Sequence, residues 1–283
     1  MPAPSYEVPY VREPVDLSMP VRYLHGPDSS PQPGVPHGTV AEFDWNASTV
    51  YPGTSRRVWI HAPAGYTTSE PAALMVFQDG SLYLDPTGEM RAGIVLDNLV
   101  HRGEMPVTLG VFVDPGQPGN RNVEYDAFDD RYATFLLTEI IPQVKNRFAV
   151  TEDPNQWAIC GGSSGGNCAL TVAWHRPARF RRVVSFLCSF AQMPGGNPYP
   201  AAIRDEPAKP LRIYLQAGRR DLNWNKPQQN WLSNNLKVAA ALAEAGYDHR
   251  LVLGDGGHSP NHGGALLPDA LRWTWRADTT DES

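Results

Sequence analysis

An α/β fold with a mostly parallel eight-stranded sheet and helices on both faces is predicted by three features of the sequence. Apolar runs of strand length recur along the chain, stretches of helical periodicity separate most of them, and one run enters a Gly-rich turn that opens an alanine-rich helix. With 283 residues, 41% hydrophobic and 10% aromatic, the chain can bury the large core this fold requires.

The elements follow in chain order. Residues 1–38 hold nine of the 27 prolines. Proline neither donates to a strand ladder nor continues a helix, so this part is expected to be an extended arm, with one domain over residues 39–283. The runs at 39–45 and 57–62 flank the turn residues Tyr51-Pro52-Gly53-Thr54, as a hairpin does. Further strands are expected at 74–78, 107–113, 157–160, 183–187, 211–216 and 249–253. Helical periodicity marks 89–101, 130–148, 164–176, 226–245 and 264–276. Alternating strands and helices imply parallel pairing, and in such a sheet ligands bind beyond the carboxyl ends of the strands.

Charge and cysteine content exclude several classes. The 24 basic and 30 acidic residues give a net charge of −6 with no basic run, against a nucleic-acid surface or an anionic-membrane anchor. The start lacks the charged and apolar regions of a signal peptide, and no stretch is apolar enough to span a membrane, so a cytoplasmic protein is expected. Cys160, Cys168 and Cys188 are too few for a disulfide framework and fall in apolar surroundings, where buried packing is expected.

The segment from Trp157 to Gly166, reading WAICGGSSGG, has the form of a nucleophile elbow. Small residues on both sides let the backbone turn sharply and lift a serine hydroxyl above the sheet edge. Two registers fit Gly-x-Ser-x-Gly, centred on Ser163 or Ser164. Ser163 is preferred because the strand then ends at Cys160, and Ser164 opens the helix with its N–H free for an oxyanion.

A serine hydroxyl needs a base held by a carboxylate. After the strand ending Leu251-Val252-Leu253 comes Gly254-Asp255-Gly256-Gly257-His258, which puts His258 where a base belongs; His262 is the competing histidine. The strand ending at Gln216 is followed by Ala217-Gly218-Arg219-Arg220-Asp221, so Asp221 is the expected orienting acid, ahead of Asp248 and Asp255. The second oxyanion donor is expected in Gln78-Asp79-Gly80-Ser81, at Gly80 or Ser81. Trp224 and Trp231 follow Asp221 closely and are candidates for a pocket wall or for packing, as are Tyr83 and Tyr125.

With these residues in place the chain resembles the enterochelin esterase-like branch of the α/β-hydrolase superfamily, over most of residues 39–276. The motifs are Val76-Phe77-Gln78-Asp79-Gly80, Arg121-x-x-Glu124 followed by Glu139-x-x-Pro142, the elbow, Gln216-Ala217-Gly218-Arg219-Arg220-Asp221 and the His258 loop. The resemblance implies an α/β-hydrolase fold and a Ser163, Asp221, His258 triad; no metal or organic cofactor is expected, since no nearby Glu or Cys completes a zinc set with His258 and His262. The resemblance also implies a substrate-facing Arg121, for which pairing with Glu124 is the structural alternative. Siderophore esterases of the branch commonly carry an additional N-terminal domain where this sequence has only the arm, which weakens the expectation of a catecholate siderophore. The expected function is therefore a serine carboxylic-ester hydrolase for a small-molecule ester or lactone. Acyl transfer or lactone processing by the same triad stays open, as does a non-catalytic binding module on this fold.

Overall fold

The computed structural model describes residues 20–277; the first nineteen residues of the expected arm lie outside that range. All eight expected strands are present: β1 (Thr39–Trp45), β2 (Arg56–Ala62), β3 (Ala73–Gln78), β4 (Thr108–Val113), β5 (Trp157–Gly162), β6 (Arg182–Phe186), β7 (Arg212–Gly218) and β8 (Asp248–Gly254). They form one sheet in the order β1-β2-β4-β3-β5-β6-β7-β8. β1 pairs antiparallel with β2, and β2 with β4, whereas every pairing from β4 to β8 is parallel. This is the α/β-hydrolase arrangement, and it gathers the carboxyl ends of β3 to β8 along one rim.

Nine α-helices are named among the described residues. α1 (Gly80–Leu84), α3 (Arg121–Tyr125) and α7 (Tyr199–Asp205) were not expected, since one or two turns are too short to show a period. α2 (Ala92–His101), α6 (Ser164–His175), α8 (Trp231–Glu244) and α9 (Pro260–Trp275) match expected helices. The stretch predicted as one helix over 130–148 is instead α4 (Arg131–Phe135), a π-helical turn (Leu136–Ile140) and α5 (Ile141–Lys145). Pro142 has no N–H and its ring would strike the carbonyl four residues back, and the wider π turn relieves both problems. Local caps fix two of the later helices: Asn230 accepts the Ser233 N–H at 2.7 Å to open α8, and Ser259 accepts the Asn261 N–H at 3.2 Å to open α9.

Period-2 alternation divides the core into two layers. From β3, Leu74 and Val76 pack on one face with Tyr125, Phe135 and Leu170, and Met75 and Phe77 pack on the other with Val95, Leu96 and Leu271. Every residue of β3 and β4 is buried, as expected of central strands covered on both sides. All three cysteines are buried and free. No helix among the described residues is long and apolar enough to cross a membrane.

Two contacts carry the sheet edge and the elbow. Glu139, on the π turn, gathers the link between β1 and β2: it accepts the Trp45 indole N–H at 2.9 Å, the Thr49 N–H at 2.8 Å and hydroxyl at 2.9 Å, and the Val50 N–H at 2.8 Å. Burial alone would raise the Glu139 pKa, but hydrogen bonds from Ser48, Val50, Trp45 and Thr49 outweigh it and hold the carboxyl at about 2, below its ordinary 4.5. At the elbow, Gly161 lies so close to α6 that a Cβ there would meet the Gly165 carbonyl oxygen at 2.1 Å. No side chain fits without separating strand from helix.

A depressed carboxyl pKa stabilises the fold fully above the unfolded value and ceases to do so as pH falls through the folded one. Glu139→Gln is therefore expected to lower stability by about 2–3 kcal/mol at pH 7, with the gap to wild type closing between about pH 4.5 and pH 2. Urea unfolding of both proteins at pH 7 and pH 3 measures it; a gap that does not narrow refutes the assignment. Gly161→Ala is expected to cost more than about 4 kcal/mol or to prevent folding, read by thermal melting.

Candidate active site

β5 ends in the elbow. Ser163 has φ 57° and ψ −125°, a conformation seldom adopted by a residue with a Cβ, and hydrogen bonds hold it there from both sides. Its N–H donates to the Phe186 carbonyl at 2.8 Å, and its own carbonyl accepts from Gly166 and Asn167 at 3.1 Å and from Ser189 at 3.3 Å. The two serine registers have different surroundings. Ser163 Oγ faces the rim, whereas Ser164 is 1% exposed and donates its hydroxyl to Asp126 Oδ2 at 3.0 Å. Asp126 also accepts from Ser189 and Asn122, so Ser164 belongs to a buried polar cluster behind the elbow.

The loops after β7 and β8 bring two further residues to Ser163. His258 Nε2 lies 3.1 Å from Ser163 Oγ, and His258 Nδ1 lies 2.7 Å from Asp221 Oδ1. Asp221 is fully buried, and the same carboxylate oxygen accepts the Leu222 N–H at 2.7 Å. Trp231, 1% exposed, stands edge-on to the imidazole with ring centroids 4.7 Å apart and so limits its rotation. The rival carboxylates are engaged elsewhere: Asp255 pairs with Arg219 at 2.9 Å, and Asp248 with Arg212 and Arg276. His262 Nδ1 lies 2.9 Å from Gln216 Nε2, and burial pushes its pKa down to about 4, so it is neutral near pH 7.

The expected oxyanion donors separate. The N–H groups of Ser164 and Gly80 donate to no acceptor among the described residues. The Ser81 N–H is spent on Asp114 Oδ1 at 2.8 Å, which removes Ser81 from the candidates. Gly80 packs against β4 so closely that a Cβ would meet the Phe112 carbonyl carbon at 2.5 Å.

Arg121 has a different partner from the one the sequence suggested. Its guanidinium makes a two-pronged pair with Asp79 at 2.7 Å and 2.7 Å, while Glu124 binds the buried Arg56 at 2.7 Å and 2.9 Å. The Arg56–Glu124 pair anchors α3 to β2, and α3 holds Arg121 at the rim. Desolvation works against the Arg121 charge, but the Asp79 carboxylate overcomes it and raises the pKa. The Tyr125 hydroxyl accepts the Asp79 N–H at 3.3 Å, so this tyrosine supports the loop after β3 and is itself buried.

Beside Ser163 and His258 opens a cavity of about 120 Å³, almost wholly apolar, walled by Leu82, Tyr83, Met90, Phe186, Leu187 and Pro260. Arg121 and Asp79 line its polar side. Trp224 is 49% exposed, under the Arg220 guanidinium, and does not line the cavity; Trp231 contacts the histidine instead. A larger cleft of about 310 Å³ lies at the opposite rim, among Asn155, Arg181, Lys209 and Asp248 at the strand starts, away from Ser163. Sequence reasoning did not find Met90, Phe186, Leu187 or Pro260, ordinary apolar residues whose role comes only from where their loops converge.

Several known proteins resemble this chain. The chain is 26% identical over 255 residues to the iron(III) enterobactin esterase of Dickeya dadantii, covering 83% of this chain and 55% of that protein. It is 28% identical over 212 residues to the enzyme of the same name from Escherichia coli K12, covering 71% and 51%. The chain thus spans about half the length of the curated relatives it matches. Among solved structures, the enterobactin esterase of Shigella flexneri superposes with a TM-score of 0.73 at 24% identity, over 88% of this chain and 61% of that one. A ferulic acid esterase from Anaeromyces mucronatus gives 0.69 at 18% identity, over 88% and 94%. At these identities the structural likeness speaks for the fold. A family model described as "Putative esterase" matches residues 49–274, and the chain belongs to that family.

Proposed function

We propose that the protein is a serine carboxylic-ester hydrolase that works through an acyl-enzyme. The observation carrying this reading is the single imidazole hydrogen-bonded on one side to the elbow serine and on the other to a buried carboxylate. Ser163 Oγ attacks the ester carbonyl as His258 Nε2 takes its proton, and Asp221 holds the ring by Nδ1 and balances the imidazolium charge. The tetrahedral oxyanion is bound by the N–H groups of Ser164 and Gly80. His258 then returns the proton to the departing alcohol, and a water activated by the same imidazole releases the acid. Family membership and relatives named as esterases of enterobactin and ferulic acid support ester hydrolysis as the chemistry.

The cavity bears on the substrate. At about 120 Å³ it is small beside the roughly 300–1,000 Å³ of ordinary ligand clefts, and its walls offer few hydrogen bonds. A short apolar group on one side of the scissile bond fits this space, and a larger portion of the substrate extends past Arg121 into solvent.

With p-nitrophenyl butyrate as substrate, Ser163→Ala and Asp221→Asn are each expected to lower kcat by about a thousandfold or more. Ser164→Ala removes a bond to Asp126 and is expected to cost about tenfold or less. If Ser164→Ala abolishes turnover and Ser163→Ala does not, the nucleophile is misassigned. Across acyl chains, kcat/KM is expected to be about tenfold higher for butyrate than for octanoate, and Met90→Ala, which enlarges the cavity, is expected to narrow that ratio. A steady rise to octanoate in the wild type rules the cavity out as the acyl site.

A further inference from the structure

We propose that Tyr23, in the proline-rich arm, is a positioning residue for His258, acting as a clamp on both flanks of the loop that carries the imidazole. The proposal rests on the esterase reading above. On the leading flank, the Asp255 N–H donates to the Tyr23 hydroxyl at 2.8 Å. On the trailing flank, the Tyr23 N–H donates to Asn261 Oδ1 at 2.7 Å and the Asn261 amide donates back to the Tyr23 carbonyl at 3.0 Å, a closed pair of bonds. Between these points the Tyr23 ring stacks on His262, with centroids 3.8 Å apart and planes 13° from parallel. Gly254 leaves room for this arrangement, since a Cβ there would meet the His262 ring at 2.3 Å and the Tyr23 hydroxyl at 2.5 Å.

The loop itself supplies little stiffness. The N–H groups of Gly257 and His258 donate to no acceptor among the described residues. On the β7 side the loop is held by the Gly254 and Gly256 carbonyls, which accept the Arg219 and Arg220 N–H groups at 2.7 Å and 3.1 Å, by the Asp255–Arg219 pair at 2.9 Å and by His258 Nδ1 on Asp221 at 2.7 Å. Tyr23 provides the opposing grip. The same segment reaches the cavity wall: Asn261 also donates to Glu89 Oε2 at 2.9 Å, and His25 Nε2 lies 2.7 Å from the Glu89 carbonyl, next to Met90. Apolar anchoring is not what residues 20–25 contribute, because Leu24 is 85% exposed and Val21 is also exposed. Their specific bonds run to the flanks of His258 and to the neighbouring wall. A base displaced by about 1 Å from its working distance can lose about a hundredfold in rate, so a loop whose bonds on the β7 side all pull one way depends on this opposing grip.

The test uses the full chain with p-nitrophenyl butyrate. Tyr23→Phe keeps the stack on His262 and loses only the bond to Asp255; kcat is expected to fall about three- to tenfold. Tyr23→Ala loses both, with kcat expected to fall about thirty- to a hundredfold and KM to stay within about twofold. In both variants the downfield proton NMR signal of the His258 Nδ1–H, bonded to Asp221, is expected to broaden, which a loss of overall stability alone would not produce in folded protein. Wild-type kcat in folded Tyr23→Ala, or a kcat loss with that signal unchanged, overturns the clamp. Should Tyr23→Ala fail to fold, Tyr23→Phe decides alone by the same two readouts. Ser163→Ala is measured beside them: if it is inactive while both Tyr23 variants are fully active, only the clamp falls, and if Ser163→Ala is active, the esterase reading falls first.

Discussion

The turn from β5 into α6 is the constraint on which the site depends. Ser163 occupies a backbone conformation that costs on the order of 1–3 kcal/mol, and it persists because four hydrogen bonds to its own N–H and carbonyl fix the peptide groups around it. Close contact between Gly161 and Gly165 lets the helix begin directly over the strand end, which leaves the Ser164 N–H with no helical partner. A strained serine and an unspent donor are thus two results of one packing decision. The parallel sheet does the rest by delivering the loops after β7 and β8 to the same rim.

Much of this was legible in the sequence, and the limits follow from range. The inner strands could be placed because buried strands read as apolar runs of distinctive length, the exposed edge strands β1 and β8 show weaker runs, and Ser163, Asp221 and His258 could be placed because each follows such a run. Partnerships that span the chain could not. Arg121 stands three residues before Glu124, yet the loop after β3 brings Asp79 to Arg121 while β2 brings Arg56 to Glu124. Trp224 and Trp231 look alike in sequence, and only the start of α8 decides that Trp231 faces the imidazole and Trp224 the solvent. Prolines led to an expectation of an extended arm over residues 1–38, of which residues 20–38 are described and hold a 3₁₀ turn at Pro27–Ser29, but composition carries no information about which side chains Tyr23 would meet more than two hundred residues later.

The polar groups around the site fall into two sets with different surroundings. Asp126, Ser164 and Ser189 satisfy one another in a buried cluster behind the elbow, where an unpaired group would be costly, and the exposed Asn122 adds a bond to Asp126 from the surface. Asp79 and Arg121 satisfy one another at the cavity edge, where the guanidinium is about one-third exposed and stays within reach of what enters. The first set holds the backbone that carries the serine. The second gives an otherwise apolar cavity one polar side, and so an orientation for any molecule with a polar and an apolar end.

The burial of every cysteine has a practical side. Cys160, Cys168 and Cys188 are sealed in the two core layers, and burial pushes each thiol pKa upward, that of Cys188 to about 12. Native protein therefore offers alkylating reagents no accessible thiolate. A cysteine introduced at an exposed position such as Leu24 becomes a unique attachment point for a dye or a spin label, and its distance to the body of the molecule can be measured without first removing any natural sulfhydryl.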